Sequence, residues 1–347
     1  MKRIALCVCA SAVWFALCST AAAQEYLLRL PRPSPRARVM QTTGITEMTV
    51  EFGRPGVKGR RIWGGLVPYD RVWRAGADEN TTIAFSAPVT VGGKHLDAGT
   101  YGIHVIPGRV YWTIILSKQF RAWGSFTYTE AEDAARVVVR PKSTPHRERL
   151  LYTFEDLAES SCHVVLSWEE KSVSFEVDLD VNATVVAELR DALRGRARNS
   201  WTGWLRAAEW CMENGVNLDE ALGWIERSIA KSRNFYNVRM KALILEKQGD
   251  ANRAQALMKE AVSIATESQV EEYAMVLMAD GEIDRAISVL KEHVRTHPNS
   301  LRAHTSLAEA YWNRNDRANA IREYEKALAL APDNLKETIR EIIERLK

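Results

Sequence analysis

The chain has 347 residues, of which 46% are hydrophobic and 26% are charged. Its 47 lysines and arginines nearly balance its 44 aspartates and glutamates, so the composition gives no reason to expect binding to nucleic acid or to an anionic membrane. A chain of this length predicts about two domains, each large enough to bury a core of its own.

The N-terminus has the pattern of a bacterial export signal. Lys2 and Arg3 precede an apolar run over residues 4–17, which is too short to span a bilayer stably. Small residues follow, with Ala21 and Ala23 at the spacing of a cleavage site. We therefore expect residues 1–23 to be a signal peptide cleaved after Ala23, and the mature protein to be periplasmic or secreted.

The cysteines indicate no disulfide framework. The five are Cys7, Cys9, Cys18, Cys162 and Cys211. The first three leave with the signal peptide, and the two that remain lie in different predicted elements, where lone buried thiols are commoner than a bridge. Lipidation of Cys18 is an alternative to cleavage, although Leu17 before it is not a small residue. No later run resembles a transmembrane helix.

The first half of the mature chain has the period of β-strands. Residues 24–40 are rich in proline and arginine and predict a flexible linker. Over residues 41–182 apolar and polar side chains alternate, as in the runs 101–105 and 173–181. Turn residues separate these runs, and Pro107-Gly108 predicts a hairpin. Eight or more short strands with no helical pattern between them indicate an antiparallel sandwich or barrel, and of these we predict the all-β antiparallel sandwich.

The second half, residues 183–347, has the period of helices. Three segments within it resemble one another, with a small residue where two helices would cross. The equivalent alanines are Ala254, Ala286 and Ala320, which are 32 and 34 residues apart. Residues 204–232 form a fourth, degenerate copy, and residues 336–347 fit a terminal capping helix. This period predicts an all-α tetratricopeptide-like repeat domain.

Stacked helix pairs of this kind present a face that commonly binds a peptide or a partner helix. The alternative is that so short an array only packs against the sandwich as a scaffold. Both interpretations stay open at the level of the sequence.

The sequence contains none of the standard catalytic spacings, which include G-x-S-x-G, H-E-x-x-H, the phosphate-binding P-loop and G-x-G-x-x-G. His293 and His297 have the spacing of two metal ligands on a helix, but Pro298 follows directly and indicates that the helix ends there. We therefore expect no metal and no cofactor, and we favour a binding protein over an enzyme.

One stretch, PYDRVWRAGADENTTIAF at residues 68–85, is unusually dense in charged and aromatic side chains. With nearby residues it gives the candidate binding site, while no residue is assigned as catalytic. The candidates are Arg54, Arg61, Trp63, Tyr69, Trp73, Arg74, Asp78, Glu79, Asn80 and Trp123. The arginines suit carboxylate or phosphate, and the tryptophans suit a sugar ring or a peptide.

The same residues also have a purely structural interpretation. A long loop over a sandwich must satisfy its own backbone, and arginine–carboxylate pairs under tryptophans do that well. Arg74 beside Gly76 suits a side chain that fastens a tight turn, and Asp78 and Asn80 can cap neighbouring amides. We expect this cluster mainly to organise the loop and, as the alternative, to serve as a binding surface.

This region resembles a bacterial family called domain of unknown function 2911. The motifs that carry the resemblance are Gly53-Arg54-Pro55, Lys58-Gly59-Arg60, Leu66-Val67-Pro68-Tyr69, Val72-Trp73-Arg74-Ala75-Gly76-Ala77 and Ala98-Gly99-Thr100-Tyr101. Trp112-Thr113, Trp123-Gly124 and the helical stretch 204–229 are similar as well. The resemblance implies an exported β-sandwich, often with helical repeats, and supplies no reaction.

The sequence thus favours an exported, non-enzymatic protein of the bacterial envelope. Its helical array would bind a protein or peptide, and its sandwich would bind a small molecule or sugar. One alternative is a hydrolase or isomerase that uses Arg74, Asp78 and Glu79 on an envelope substrate. Another is a carbohydrate-binding module that uses the tryptophans.

Overall fold

The computed structural model describes residues 31–347. The predicted signal peptide, its cleavage site after Ala23, Cys18 and the first part of the predicted linker therefore lie outside the described residues. Those features remain expectations.

Within the described residues, ten strands form the N-terminal domain. They are β1 (Arg36–Thr43), β2 (Thr46–Gly53), β3 (Thr81–Phe85), β4 (Val89–Val91), β5 (Lys94–Leu96), β6 (Gly99–Pro107), β7 (Trp112–Ser117), β8 (Asp133–Val139), β9 (Lys142–Glu155) and β10 (Ser161–Asp178). One sheet has six strands in the order β1-β2-β3-β6-β7-β8, and the other has four in the order β5-β4-β10-β9. Every pair of neighbouring strands is antiparallel, which confirms the predicted sandwich.

The alternating residues of the two sheets meet in one core. Val50 and Phe52 from the first sheet face Leu150, Tyr152 and others from the second, and all are almost fully buried. The Phe52 and Tyr152 rings meet edge to face with centroids 4.9 Å apart. The predicted hairpin at Pro107-Gly108 joins β6 to β7.

The predicted linker is wrong at its C-terminal end. Strand β1 begins at Arg36, so residues 36–40 are paired with β2, for example Met40 with Thr49. Because its arginines are exposed, this edge strand has the composition of a basic linker. Ala37 and Val39, which alternate with the arginines, nevertheless pack against the core. An edge strand with charged outward side chains is a common way of protecting a sheet from further pairing.

Ten α-helices follow the sandwich. They are α1 (Val181–Ala192), α2 (Trp201–Asn214), α3 (Leu218–Lys231), α4 (Phe235–Lys247), α5 (Ala251–Ile264), α6 (Glu267–Ala279), α7 (Ile283–Thr296), α8 (Leu301–Asn313), α9 (Arg317–Leu330) and α10 (Asp333–Leu346). Four antiparallel pairs run from α2–α3 to α8–α9, as the repeat pattern predicts, and α10 ends the stack. None of the described helices is long and apolar enough to cross a membrane.

The pairs stack so that first helices contact first helices and second helices contact second helices. Helix α2 packs on α4 and α6 packs on α8, while α5 packs on α7. The first helices therefore share one side of the array. Small side chains permit this close stacking, and Ala208, Ala274 and Ala308 on first helices are completely or almost completely buried.

The two remaining cysteines are buried in different cores. Cys162 lies within the sandwich core, and Cys211 lies in the core that α1 to α4 share. Burial raises the pKa of the Cys211 thiol to about 11.

Candidate functional site

The predicted cluster lies in the long connection between β2 and β3. This connection contacts strands of both sheets at one end of the sandwich. Its first part pairs with β9, where the Val57 N–H donates to the Glu148 carbonyl at 2.8 Å. Its last part pairs with β6, where Trp73 and Val105 exchange two backbone hydrogen bonds of 2.8 Å. The long connection therefore crosses the sandwich, as the structural interpretation expected.

Two of the candidate tryptophans belong to the core. Trp63 lies 4.4 Å from Trp112, measured between ring centroids, and Trp73 stacks on Trp168 at 5.8 Å. The Trp73 indole N–H also donates to the Gly76 carbonyl at 3.2 Å. These tryptophans do not form an exposed row for a sugar, because they fill the end of the sandwich.

The candidate arginines of the connection make backbone contacts or point to solvent. Arg54 donates from Nε to the Leu150 carbonyl at 2.9 Å, which ties the connection to β9. Arg74 donates to the Asp78 carbonyl and lies 5.8 Å from the Phe126 ring centroid. Arg61 is exposed. Within residues 31–347 none of these three donates to a carboxylate, whereas the structural interpretation expected arginine–carboxylate pairs.

A left-handed turn fixes the centre of the connection. Ala75 has φ +53°, which is uncommon for a residue with a side chain. Its carbonyl accepts hydrogen bonds from the Thr81 hydroxyl at 3.1 Å and from the buried Tyr152 hydroxyl at 3.0 Å. Gly53 lies against this turn, and a Cβ there would come within 2.3 Å of the Ala77 carbonyl oxygen. Only glycine fits that approach.

The remaining members of the connection separate into two groups. Tyr69 is half-buried, and its ring centroid lies 5.2 Å from the Arg109 guanidinium. This contact also helps to hold the connection in place. Asp78 has φ +63° and uses its carbonyl to accept from Arg74. Glu79 and Asn80 instead reach a cavity on the outer face of the six-stranded sheet.

Glu79, one of the two proposed acid–base residues, is paired with arginines. The Glu79 carboxylate accepts two hydrogen bonds of 2.8 Å from Arg32 and lies 3.5 Å from Arg36. Partial burial alone would raise the pKa of Glu79, but hydrogen bonds from its own amide and from Arg32, with the two positive charges, keep that pKa below its usual value. A proton donor needs the opposite shift. The geometry therefore gives no support to the hydrolase or isomerase alternative.

The cavity is a groove of about 670 Å³ over the outer face of β1, β2 and β3. We call it the sheet-face groove. Its floor and one wall come from the strands, and the other wall comes from residues 120–123. The side chains that line it include Arg36, Arg38, Glu51, Glu79, Asn80 and Trp123.

Three of the candidate residues, Glu79, Asn80 and Trp123, thus meet in the groove. The arginines of β1 and the glutamates of β2 also line it, and they were not among the predicted candidates. The sequence reasoning missed Arg36 and Arg38 because it assigned them to a linker. The available signal was their alternation with Ala37 and Val39, which has the period of a strand. Glu51 alternates in the same way between Val50 and Phe52.

The wall of the groove belongs to a segment, residues 118–132, that covers the rest of the same sheet face. Its two ends meet where the Lys118 N–H donates to the Glu132 carbonyl at 2.9 Å. Beneath it, the His104 Nδ1 lies 2.9 Å from the Ser125 hydroxyl oxygen. The Tyr128 hydroxyl donates to the Asp133 carboxylate at 2.8 Å. These contacts hold the segment against the sheet, and Trp123 lies on this segment and lines the groove.

The helical array presents its own candidate surface on the first helices. Tyr236 on α4, Met275 and Val276 on α6 and Trp312 on α8 are all exposed. We call this surface the first-helix face. Beside these apolar side chains, Arg302 forms an ion pair with Glu271.

The histidine pair of α7 lacks the further ligands that a metal would need. The rings of His293 and His297 lie 4.7 Å apart, and His297 follows the last residue of α7, as predicted. Within residues 31–347, no three or more His, Cys, Asp or Glu side chains group so that they could hold a metal ion.

Family models match both halves of the chain. Residues 34–177 match the family described as a protein of unknown function, DUF2911. The sandwich is a DUF2911 domain. Residues 277–337 match a tetratricopeptide repeat model, and together with the four stacked helix pairs this match supports a role in protein interaction.

Solved structures give weaker matches. A MamA double mutant from RS-1 is 19% identical, with 42% of this chain and 82% of that chain covered and a TM-score of 0.25. YrrB, described as a tetratricopeptide protein with an unusual peptide-binding site, is 18% identical over 46% of this chain and 82% of its own, with a TM-score of 0.24. Yeast Tom70 is 13% identical over 46% of this chain and 42% of its own, with a TM-score of 0.25. TM-scores of this size establish no relationship by themselves. No curated protein matches this chain.

Proposed function

We propose that this chain is an exported protein of the bacterial envelope that acts by binding, and that its helical array docks a protein or peptide through the first-helix face. The exported state is supported by the signal pattern of residues 1–23. The docking role is supported by the repeat architecture and by one observation on the array itself.

That observation is the exposure of large apolar side chains on neighbouring first helices. Met275 is 64% exposed and Trp312 is 43% exposed, on α6 and α8, which pack side by side. Clustered exposed apolar side chains with charged residues beside them are typical of a protein interaction surface. Tryptophan and methionine are among the residues enriched at such surfaces.

Charges next to these side chains indicate what the partner would present. Glu271 lies one helical turn before Met275, and Glu309 lies one turn before Trp312. Burial and the charge of Glu271 together raise the pKa of Glu309. Cations already lie beside these side chains, since Arg302 pairs with Glu271 and the Arg317 guanidinium lies 5.7 Å from the Trp312 ring centroid. The fitting partner is therefore mainly apolar, with polar groups at its edge.

The experiment expresses the full chain in an exporting host and recovers it from the envelope fraction, where the expected first residue is Gln24. Partners are captured with the wild type, identified by mass spectrometry and purified. Binding of the purified partner is then measured for the double variant Met275→Ser/Trp312→Ser. We expect its dissociation constant to rise by about tenfold or more, because the two side chains would be buried at the interface.

A matched control changes exposed apolar residues elsewhere in the array. Ile264 and Leu330 lie at the ends of the second helices α5 and α9, so Ile264→Ser/Leu330→Ser should bind as the wild type does. Circular dichroism checks that both variants are folded. Equal affinity of the two double variants would show that the array is a scaffold and that the docking proposal is wrong.

A further inference from the structure

The sheet-face groove has the chemistry of a sugar site. We propose that the groove on the DUF2911 domain binds a neutral saccharide, with Trp123 stacking on a sugar ring and the side chains of β1 to β3 and Asn80 bonding its hydroxyls. This proposal concerns the sandwich alone and does not rest on docking by the helical array.

Hydrogen bonds from the centre of the groove floor to a ligand must come from side chains. Strand β2 lies at this centre and is paired with β1 on one side and with β3 on the other, so its backbone N–H and C=O groups are already used. The free edge of the sheet is the outer side of β1, where an extended peptide would add beside the groove and not on its floor.

The groove carries little net charge. Arg36, Arg38 and Arg121 line it together with Glu47, Glu51 and Glu79. Most of these charges are paired, since Glu51 lies 3.1 Å from Arg36 and 3.7 Å from Arg38. A balanced set of charges does not select an ionic ligand such as phosphate. Each pair still has N–H groups and lone pairs free for hydroxyl groups, which donate and accept at once.

A buried amide at the groove has no partner among the described residues. Asn80 is only 2% exposed and lines the groove, yet neither its side-chain N–H₂ nor its carbonyl oxygen has a hydrogen bond in residues 31–347. Leaving such a group unpaired is costly, and a ligand that supplies both a donor and an acceptor would offset that cost. Two neighbouring hydroxyl groups of a sugar fit this requirement, provided that the Asn80 side chain turns toward the groove, because both of its amide atoms are buried in the structure.

One wall of the groove provides a flat apolar surface. Trp123 is 61% exposed and belongs to the segment 118–132, whose Ala122 carbonyl accepts a hydrogen bond from the Asn80 N–H at 3.3 Å. An exposed indole beside polar groups suits the C–H face of a pyranose ring, whose edge carries the hydroxyls. The volume of about 670 Å³ falls within the usual range for small-ligand sites.

The floor of the groove is mostly polar, although Phe85 and Phe120 also line the cavity. The outward residues of the central strands are Thr49, Thr82 and Ala84 with Thr100 from β6, which are small and mostly hydroxylic. Such a shallow polar floor suits a ring that is bonded around its edge. A peptide, whose binding depends on side chains that enter pockets, would bind to this floor only weakly.

The test uses the full chain and defined neutral trisaccharides of glucose, xylose and N-acetylglucosamine. Binding is measured by isothermal titration calorimetry, with tryptophan fluorescence as a second readout. We expect at least one of them to bind, and Trp123→Ala to weaken that binding about tenfold or more because the stacking surface is lost. Asn80→Ala should also weaken it while leaving the folded protein intact, since its amide makes no bond within the described chain.

Phe126→Ala is the matched control. Phe126 is 84% exposed and lies on the same segment, but it does not line the groove and contacts Arg74 instead. Unchanged sugar binding in this variant is expected. The proposal is overturned if no neutral saccharide binds, if Trp123→Ala and Phe126→Ala bind equally, or if a mixture of extended peptides binds through Trp123 and the sugars do not. The pull-down experiment on the array has no bearing on these outcomes, so the two proposals can fail separately.

Discussion

At the scale of single residues, His104 is the side chain whose environment most changes its chemistry. It lies on the outer face of β6 and is buried by residues 118–132. Burial lowers its pKa to about 4. Its Nδ1 atom contacts the Ser125 hydroxyl, and its ring centroid lies 5.3 Å from the ring centroid of Tyr128. Beyond these two residues, Asp133 and Arg136 form an ion pair of 2.8 Å.

This histidine should make the sandwich less stable at acidic pH. Its pKa in the folded state lies below the unfolded value of about 6.5, so the unfolded chain takes up a proton first as the pH falls. We expect the free energy of unfolding to fall by about 3 kcal/mol from this group between pH 6.5 and pH 4. Denaturant unfolding at several pH values measures the slope.

The control for this prediction is His104→Gln, which keeps an acceptor for Ser125 but does not titrate. Other groups also contribute to the pH dependence, so the difference between the two proteins is the relevant quantity. The variant should lose less stability than the wild type across this range. Parallel curves would mean that His104 does not stay neutral in the folded protein.

At the scale of elements, the turn between α3 and α4 depends on one buried amide. Asn237 is completely buried and forms a capping box with Asn234. Its side-chain N–H₂ donates to the Ser232 carbonyl at 2.7 Å and to the Ser228 hydroxyl at 3.2 Å. Ser228 in turn donates to the Trp201 carbonyl at 2.8 Å, so the network joins α2, α3 and α4.

Replacing this amide should cost more than removing an ordinary helix cap. Asn237→Ala removes hydrogen bonds to the Ser228 hydroxyl, the Ser232 carbonyl and the Asn234 N–H from a completely buried position, and we expect the free energy of unfolding of the array to fall by about 2–3 kcal/mol. The comparison is Asp250→Ala, which removes the cap on the Arg253 N–H of α5 and should cost about 1 kcal/mol. Urea unfolding of both variants measures the difference. Equal losses would show that the Asn237 network adds nothing beyond capping.

At the scale of the whole molecule, the sandwich and the array have separate cores. The core residues of the sandwich end at Leu179, with Val181 packed on the edge, and the cores of the array begin at Val186. Between α1 and the sandwich lies a cavity of about 760 Å³ lined by Ile45 and Ala183, among others. Few apolar contacts therefore connect the two domains.

This separation predicts that the sandwich folds without the array. A chain that ends at Asn182 should unfold cooperatively and keep the near-ultraviolet circular dichroism of its packed tryptophans, because Trp63, Trp73, Trp112 and Trp168 all remain. It should also keep saccharide binding and lose the partner of the array. A truncated chain with no cooperative transition would show that α1 and the array are needed to stabilise the sandwich.

The sequence by itself determined the elements whose signal is local. Period-two alternation marked the strands, and a repeat of about 34 residues marked the helix pairs, since each pair folds within its own short segment. Ala254, Ala286 and Ala320 are all buried at helix crossings, as that period predicts. The family motifs also indicated the sandwich correctly from the same local residues.

The tertiary structure alone decided which of the candidate residues could meet a ligand. Trp63 and Trp73 are close in sequence to Glu79 and Asn80, yet the first two face the core and the last two face the groove. The groove also needs Arg36 from an edge strand and Trp123 from a distant segment. Which face a side chain occupies depends on strand register across tens of residues, and composition and spacing do not carry that information.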